Sequence, residues 1–187
     1  MFAPVIGAAL ALNTAHAERY SFSNDSSDVG FHMVATMHEV DGDCANFQGE
    51  LDVGRKATHT GKVTVQTSAV TTFIDVRDER MHNYVLEIEK YPTMELDIKA
   101  IEGDVEGLDS KKGSGEILLK GQLTIRTVSK DVEFPVTYSW SESGDLSLKG
   151  GYETKWTNWN LPDPSILIST LYPELDVRVD VTAKKSP

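Results

Sequence analysis

"EILLKGQLTIRTVSKDVEFPVTYSW", residues Glu116–Trp140, alternates apolar and polar side chains almost throughout. Ile117, Leu119, Gly121, Leu123 and Ile125 fall in one phase. After Thr127-Val128-Ser129-Lys130, a second run sets Val132, Phe134, Val136, Tyr138 and Trp140 against Asp131, Glu133, Thr137 and Ser139. A strand sends successive side chains to opposite faces, so each run reads as a strand with one dry and one wet face. Four connecting residues are too few for a crossover, which makes the two strands antiparallel neighbours.

The same alternation recurs to either side, and eight such stretches span the chain. Val29, Phe31, Met33, Ala35 and Met37 open the series. Val40, Gly42 and Cys44 hold one phase, whereas Phe47, Gly49, Leu51 and Val53 hold the other. That switch near Ala45 and Asn46 predicts a β-bulge. Val63 and Val65 mark the third stretch, and Met94, Leu96 and Ile98 the fourth. Leu146, Leu148, Gly150, Tyr152, Thr154 and Trp156 form the seventh, and Leu175, Val177, Val179 and Val181 the last. Eight antiparallel strands close into a barrel or stack as a sandwich, and the pattern leaves both open. Glycines in the apolar phase, such as Gly42, Gly49, Gly121 and Gly150, mark bends, or else leave room for a ligand.

"VRDERMHNYVLEIEKYP", residues Val76–Pro92, breaks the alternation between the third and fourth strands. It predicts a short helix over about Val76–Val85 crossing one end of the sheet, capped by Asp75 or Asp78 and stopped by Pro92.

At 187 residues and 40% hydrophobic content, the chain has the length of one domain and enough apolar side chains for a core. Its net charge of −11 argues against a nucleic-acid partner, which requires a basic patch. Phe2–Leu12 is apolar but too short to span a bilayer, and Ala15-His16-Ala17 fits a small-x-small cleavage pattern. Residues 1–17 therefore read as a signal peptide and 18–187 as the mature domain, in a periplasmic or secreted setting. Cys44 is the only cysteine, so no intrachain disulfide forms; its neighbours Asp41 and Asp43 favour an inert thiol. No nucleophile elbow, phosphate-binding glycine loop or zinc-binding helix motif occurs. His32 and His38 lie on the order of 20 Å apart on an extended strand, too far to share a metal ion.

Two stretches, "RDERMHNYVLEIEKYP" and "GQLTIRTVSKDVEFPV", resemble the YceI-like family of polyisoprenoid-binding, lipocalin-like proteins. Arg77-Asp78, Met81 and Tyr91-Pro92 fit the first motif; Gly121–Thr124, Lys130 and Phe134-Pro135-Val136 fit the second. Val29-Gly30-Phe31 and Phe47-Gln48-Gly49 extend the resemblance, which covers about Tyr20–Lys184. Two departures concern the barrel mouth: Thr127 stands where many relatives carry glycine, and "TNWNLPDPSILISTLYP" replaces a short Phe-Gly stretch.

The resemblance implies an all-β, eight-stranded antiparallel barrel with an apolar channel for an isoprenoid quinone, a polyprenyl compound or a similar amphiphile. The wall would then comprise Met33, Phe47, Val65, Met94, Leu96, Leu119, Gly121, Leu123, Phe134, Val136, Tyr138, Gly150, Tyr152 and Trp156. Ile166, Leu167 and Leu171, in a proline-bounded loop too apolar for ordinary solvation, would fold over one mouth. Arg77, Arg80 and His82 would meet a polar headgroup, for which the guanidinium fork is suited. No metal and no cofactor beyond the bound lipid is expected. A homodimer is compatible with this reading. Two alternatives stand beside lipid binding. One is an enzyme acting on such a lipid, with Arg77, Asp78 and His82 as acid–base groups. The other is a packed barrel serving as a stress-related protein-interaction module.

Overall fold

The computed structural model describes residues 17–54, 59–166 and 168–187. The expected leader up to His16, and Leu167, lie outside the described residues. The strands are β1 (Glu18–Ser23), β2 (Asp28–Ala35), β3 (His38–Cys44), β4 (Phe47–Val53), β5 (Thr60–Gln66), β6 (Val70–Thr71), β7 (Thr93–Gly103), β8 (Ser114–Ile125), β9 (Val128–Trp140), β10 (Leu146–Lys155) and β11 (Glu174–Lys185). All pair antiparallel in the order β1-β4-β5-β7-β8-β9-β10-β11, and β11 returns to β1 through Tyr20–Lys185 and Ser21–Lys184. The sheet therefore closes as an eight-stranded barrel.

Three staves of that barrel are interrupted. β2 follows β1 along the same edge of β11, pairing Asp28–His32 with Asp176–Asp180. β3 then pairs with β2, and β6 with β3. In place of the β-bulge expected at Ala45 and Asn46, the strand breaks there and β3 gives way to β4. The neighbouring stave breaks at the same level, in a 3-10 turn at Thr67–Ala69. Ala45 N–H donates to the Ala69 carbonyl and Gln66 N–H to the Asn46 carbonyl, both at 2.9 Å, so the break leaves these backbone groups satisfied. A separate bulge lies in β7 between Ile98 and Ala100, which lets Ile98 and Ile101 both face inward.

β1 was not anticipated, because Tyr20 and Phe22 are its only apolar pair and a turn follows at once. It nonetheless closes the barrel. The helix expected at Val76–Val85 occupies Asp75–Arg80 as α1 and continues as a π-helical turn over Met81–Leu86. Neither Asp75 nor Asp78 caps it: Ile74 stands at the N-cap with no side-chain hydrogen bond. Asp78 instead reaches back to β6 and the residue after it, accepting from Thr71 Oγ1 at 2.6 Å and Thr72 N–H at 2.7 Å.

A second helix, α2 (Val105–Ser110), was also unforeseen, since only Val105 and Leu108 give it an apolar face. Asp104 caps it, accepting from Gly107 N–H at 3.0 Å. α2 closes the end of the barrel away from α1. Leu108 is 0% exposed and packs in the same core as Tyr20, Val53, Ile117, Tyr138, Leu146 and Ala183. Burying Leu108 contributes about 2–3 kcal/mol. The outer face carries ion pairs such as Lys62–Glu95 at 2.9 Å and Lys149–Asp180 at 2.8 Å, which in such exposed positions add little stability.

Candidate functional site: a half-hollow barrel

Side chains fill the barrel towards α2 and leave it open towards α1. The open half holds a cavity of about 540 Å³ with an almost wholly apolar wall. Strands supply most of the wall, because alternation puts every second residue inside. Polar lining groups include Thr72, Arg77, Arg80, Ser165 and Ser169, from α1, its approach and the loop before β11. These elements, with the tip of the β2–β3 hairpin, make the mouth.

The mouth is built from a few specific bonds. Thr72, almost fully buried, accepts from Arg77 Nε at 2.7 Å, and its carbonyl accepts from Arg77 Nη2 at 2.6 Å. The Thr72 hydroxyl also donates to Asp78. Arg77 and Asp78 thus clasp one residue between them. Burial alone would raise the Asp78 carboxyl, but the hydrogen bonds from Thr71 and Thr72 outweigh it and hold the group below the ordinary aspartate range. Arg80 donates to the carbonyls of Pro164 at 3.2 Å and Ser165 at 3.4 Å, latching the loop to α1. Arg126, in the β8–β9 turn, pairs with Glu87 and donates to the Val85 carbonyl at 3.3 Å, which fixes the far end of the π-helical turn. Trp159, in a 3-10 turn after β10, is buried and donates to the Leu123 carbonyl at 3.0 Å.

The structure brings Met33, Val65, Met94, Leu96, Leu119, Leu123, Phe134, Val136 and Trp156 together on the cavity wall. Ile166 and Leu171 join them from the loop, and Arg77 and Arg80 from α1. Six expected residues lie elsewhere. Tyr138 belongs to the packed half, where its hydroxyl donates to Asp104 at 2.7 Å. Burial first, and then that bond, push the Tyr138 hydroxyl up to about 12. Phe47 is buried without reaching the cavity, and Tyr152 packs beside Phe134 with ring centroids 4.7 Å apart. His82 faces an outer groove with Asp75, Asp78 and Glu79, and its Nε2 donates to the Val70 carbonyl at 2.7 Å. Arg77, Asp78 and His82 are therefore not gathered on the cavity as an acid–base group.

Gly121 and Gly150 are absent from the wall for a different reason. A Cβ at Gly121 would collide with the Asp97 carbonyl beside the β7 bulge. One at Gly150 would collide with the Pro135 carbonyl, where β10 stops pairing with β9. These glycines permit close backbone approach and do not hold the channel open. At Gly42 and Gly49 the space is taken by the rings of Phe31 and Phe22 from the paired strands.

Other wall residues went unnominated. Phe31, Leu148, Val177, Val179 and Val181 were legible as an apolar phase; Met81, Val85 and Leu86 were hidden by the broken period of the helix. Cys44 also reaches the wall, and burial, then Asp43 and Asp28, push its thiol up to about 12. Among the described residues no group of His, Cys, Asp and Glu is arranged to hold a metal ion.

The closed eight-stranded barrel coincides with that of a known domain. The profile of the YceI-like domain matches residues 20–183. The chain belongs to the YceI-like family. Its barrel is similar to that of BcnA from Burkholderia cenocepacia, with a TM-score of 0.72 at 16% identity, covering 84% of this chain and 96% of that one. A polyisoprenoid-binding domain from Saccharophagus degradans, implicated in plant cell wall breakdown, superposes with a TM-score of 0.73 at 14% identity, covering 91% and 100%. The YceI protein of Campylobacter jejuni gives 0.64 at 19% identity, covering 81% and 88%. No curated protein sequence matches. No described helix of this YceI-like chain is long and apolar enough to cross a membrane.

Proposed function

We propose that this protein binds, without transforming, a long-chain amphiphile such as a polyprenyl lipid or isoprenoid quinone, in a periplasmic or secreted setting. The observation that carries the reading is the half-hollow barrel: an apolar cavity of about 540 Å³, closed by α2 and polar only at its mouth. The likeness to a polyisoprenoid-binding domain supports it. A cavity of about 540 Å³ falls within the roughly 300–1,000 Å³ of small-molecule pockets. A tail longer than the cavity would leave its remainder in the mouth. Burying roughly 600 Å² of tail contributes about 15 kcal/mol. Immobilisation costs about 4–15 kcal/mol, so micromolar or tighter binding requires a preformed channel. Arg80 is exposed and its bonds to Pro164 and Ser165 use only Nε and Nη2, so its guanidinium is better placed to meet a headgroup than that of the half-buried Arg77, which is bound to Thr72.

The test is organic extraction of the purified protein followed by mass spectrometry, beside a variant carrying Leu96→Trp and Leu123→Trp. A lipid is expected from the parent and not from the folded variant. An empty parent that also fails to take up added prenyl lipids would refute the proposal.

A further inference from the structure

Large exposed apolar side chains gather at one end of this molecule. Among the described residues, Met37, Val76 and Ile168 are 79%, 78% and 79% exposed, and Phe73, Ile74 and Ile166 are more than half exposed. They come from three elements that meet at the mouth. Thr36 N–H, beside Met37, donates to the Thr170 carbonyl at 2.9 Å, and Arg80 ties α1 to Pro164 and Ser165. Val34, Tyr84 and Tyr172, each nearly half exposed, sit on the same elements. Ile74, Val76 and Ile166 are both exposed and part of the cavity wall, so the rim is continuous with the channel.

Phe73 is part of the same rim. Its φ is 63°, the left-handed region that bulky residues rarely adopt. Yet its ring is 65% exposed and gains little packing from the rest of the chain. Phe73 N–H donates to Thr71 Oγ1 at 3.0 Å, which holds this turn and leaves the aromatic side chain outside the core.

Charge selects the surface. The loop Pro164–Pro173 carries no charged residue. On α1, Arg77 and Asp78 are bound to Thr72, which leaves Asp75 and Glu79 as exposed acidic groups. With a net charge of −11, and with Asp75 and Glu79 exposed beside the rim, the protein is repelled by anionic lipids, whereas the apolar side chains of the rim fit a zwitterionic interface. Tyrosines at the edge of such a rim, here Tyr84 and Tyr172, suit the headgroup level.

We propose that the apolar rim of the mouth docks on a zwitterionic lipid bilayer, setting the channel opening against the membrane. The purpose of the docking rests on the lipid-binding reading; the docking itself is measured separately.

The assay is flotation with phosphatidylcholine vesicles, using the chain from Glu18 onward, which contains the whole closed barrel. The parent should float. A variant with Met37→Ser, Phe73→Asn and Ile168→Ser, none of them on the cavity wall, should bind at least about tenfold more weakly for each inserted side chain lost. Circular dichroism checks that the variant is folded, and Ile168→Ser alone serves if the triple variant is not. Flotation that survives about 1 M salt supports an apolar contact. A parent that stays in the soluble fraction, or a folded variant that floats equally well, overturns the proposal. So does flotation that requires phosphatidylglycerol and vanishes in salt. A dimer dissolved by the same substitutions, without flotation, assigns the rim to a second copy and also overturns it. A parent that floats but carries and takes up no lipid would refute the lipid-binding reading and leave the docking intact.

Discussion

Replacing Thr72 with valine tests what Arg77 and Asp78 are for. The shape of the side chain is kept and only the hydroxyl is lost. In the native mouth that hydroxyl accepts from Arg77 Nε at 2.7 Å and donates to Asp78. Hydrogen bonds to charged partners are worth about 1.5–3 kcal/mol each. Asp78 keeps its bonds from Thr71 Oγ1 and Thr72 N–H, and Arg77 keeps the Thr72 carbonyl, so the loss stays below the sum of two. We expect about 2–3 kcal/mol, a fall in Tm of about 5–10 °C for a domain of this size. The pH dependence has a definite sign. A carboxyl held below its ordinary range stabilises the fold above that range, and the contribution is lost as pH falls through the folded-state value. The gap between parent and Thr72→Val should therefore be full near about pH 7 and shrink below about pH 4. Thermal unfolding followed by circular dichroism reads both, and displacement of a fluorescent lipid reads affinity. A variant melting within about 1 °C of the parent, or one that loses affinity with Tm unchanged, would refute the clasp and return Arg77 to the headgroup.

Three further outcomes follow from the same geometry. Gly121→Ala and Gly150→Ala should each destabilise the fold by about 1–3 kcal/mol or more, because the new methyl meets a backbone carbonyl; denaturant titration reads this, and a neutral result would show that the strands can separate there. Leu108→Ala should cost about 2–5 kcal/mol and loosen the α2 plug, shifting extracted lipids towards longer tails. Intact-mass measurement of the exported product should find a chain starting at Glu18, and a product retaining Met1–Ala17 would contradict cleavage after Ala17.

Alternation is a local property, because a strand has a period of two whatever its neighbours are. The sequence therefore determined the strand phases, the wet and dry faces and the interruption between β6 and β7 without reference to the rest of the chain. It also marked the phase switch at Ala45 and Asn46. The family motifs at Arg77-Asp78 and Gly121–Thr124 extended this to a closed barrel. What a short segment does once it meets distant partners was not legible. β1 shows only two apolar residues, yet it closes the barrel against residues at the far end of the chain. Tyr138 and Val136 share one phase of one strand, but Tyr138 packs under α2 with Asp104 and Val136 lines the cavity. Phase settles which way a side chain points; what it meets there depends on the plug, the bulge and the loop that fold over the two ends. For the same reason Gly121 and Gly150 read as space in the sequence and are contact in the structure: a missing Cβ is filled by whichever backbone lies opposite, and only the tertiary pairing decides which one that is.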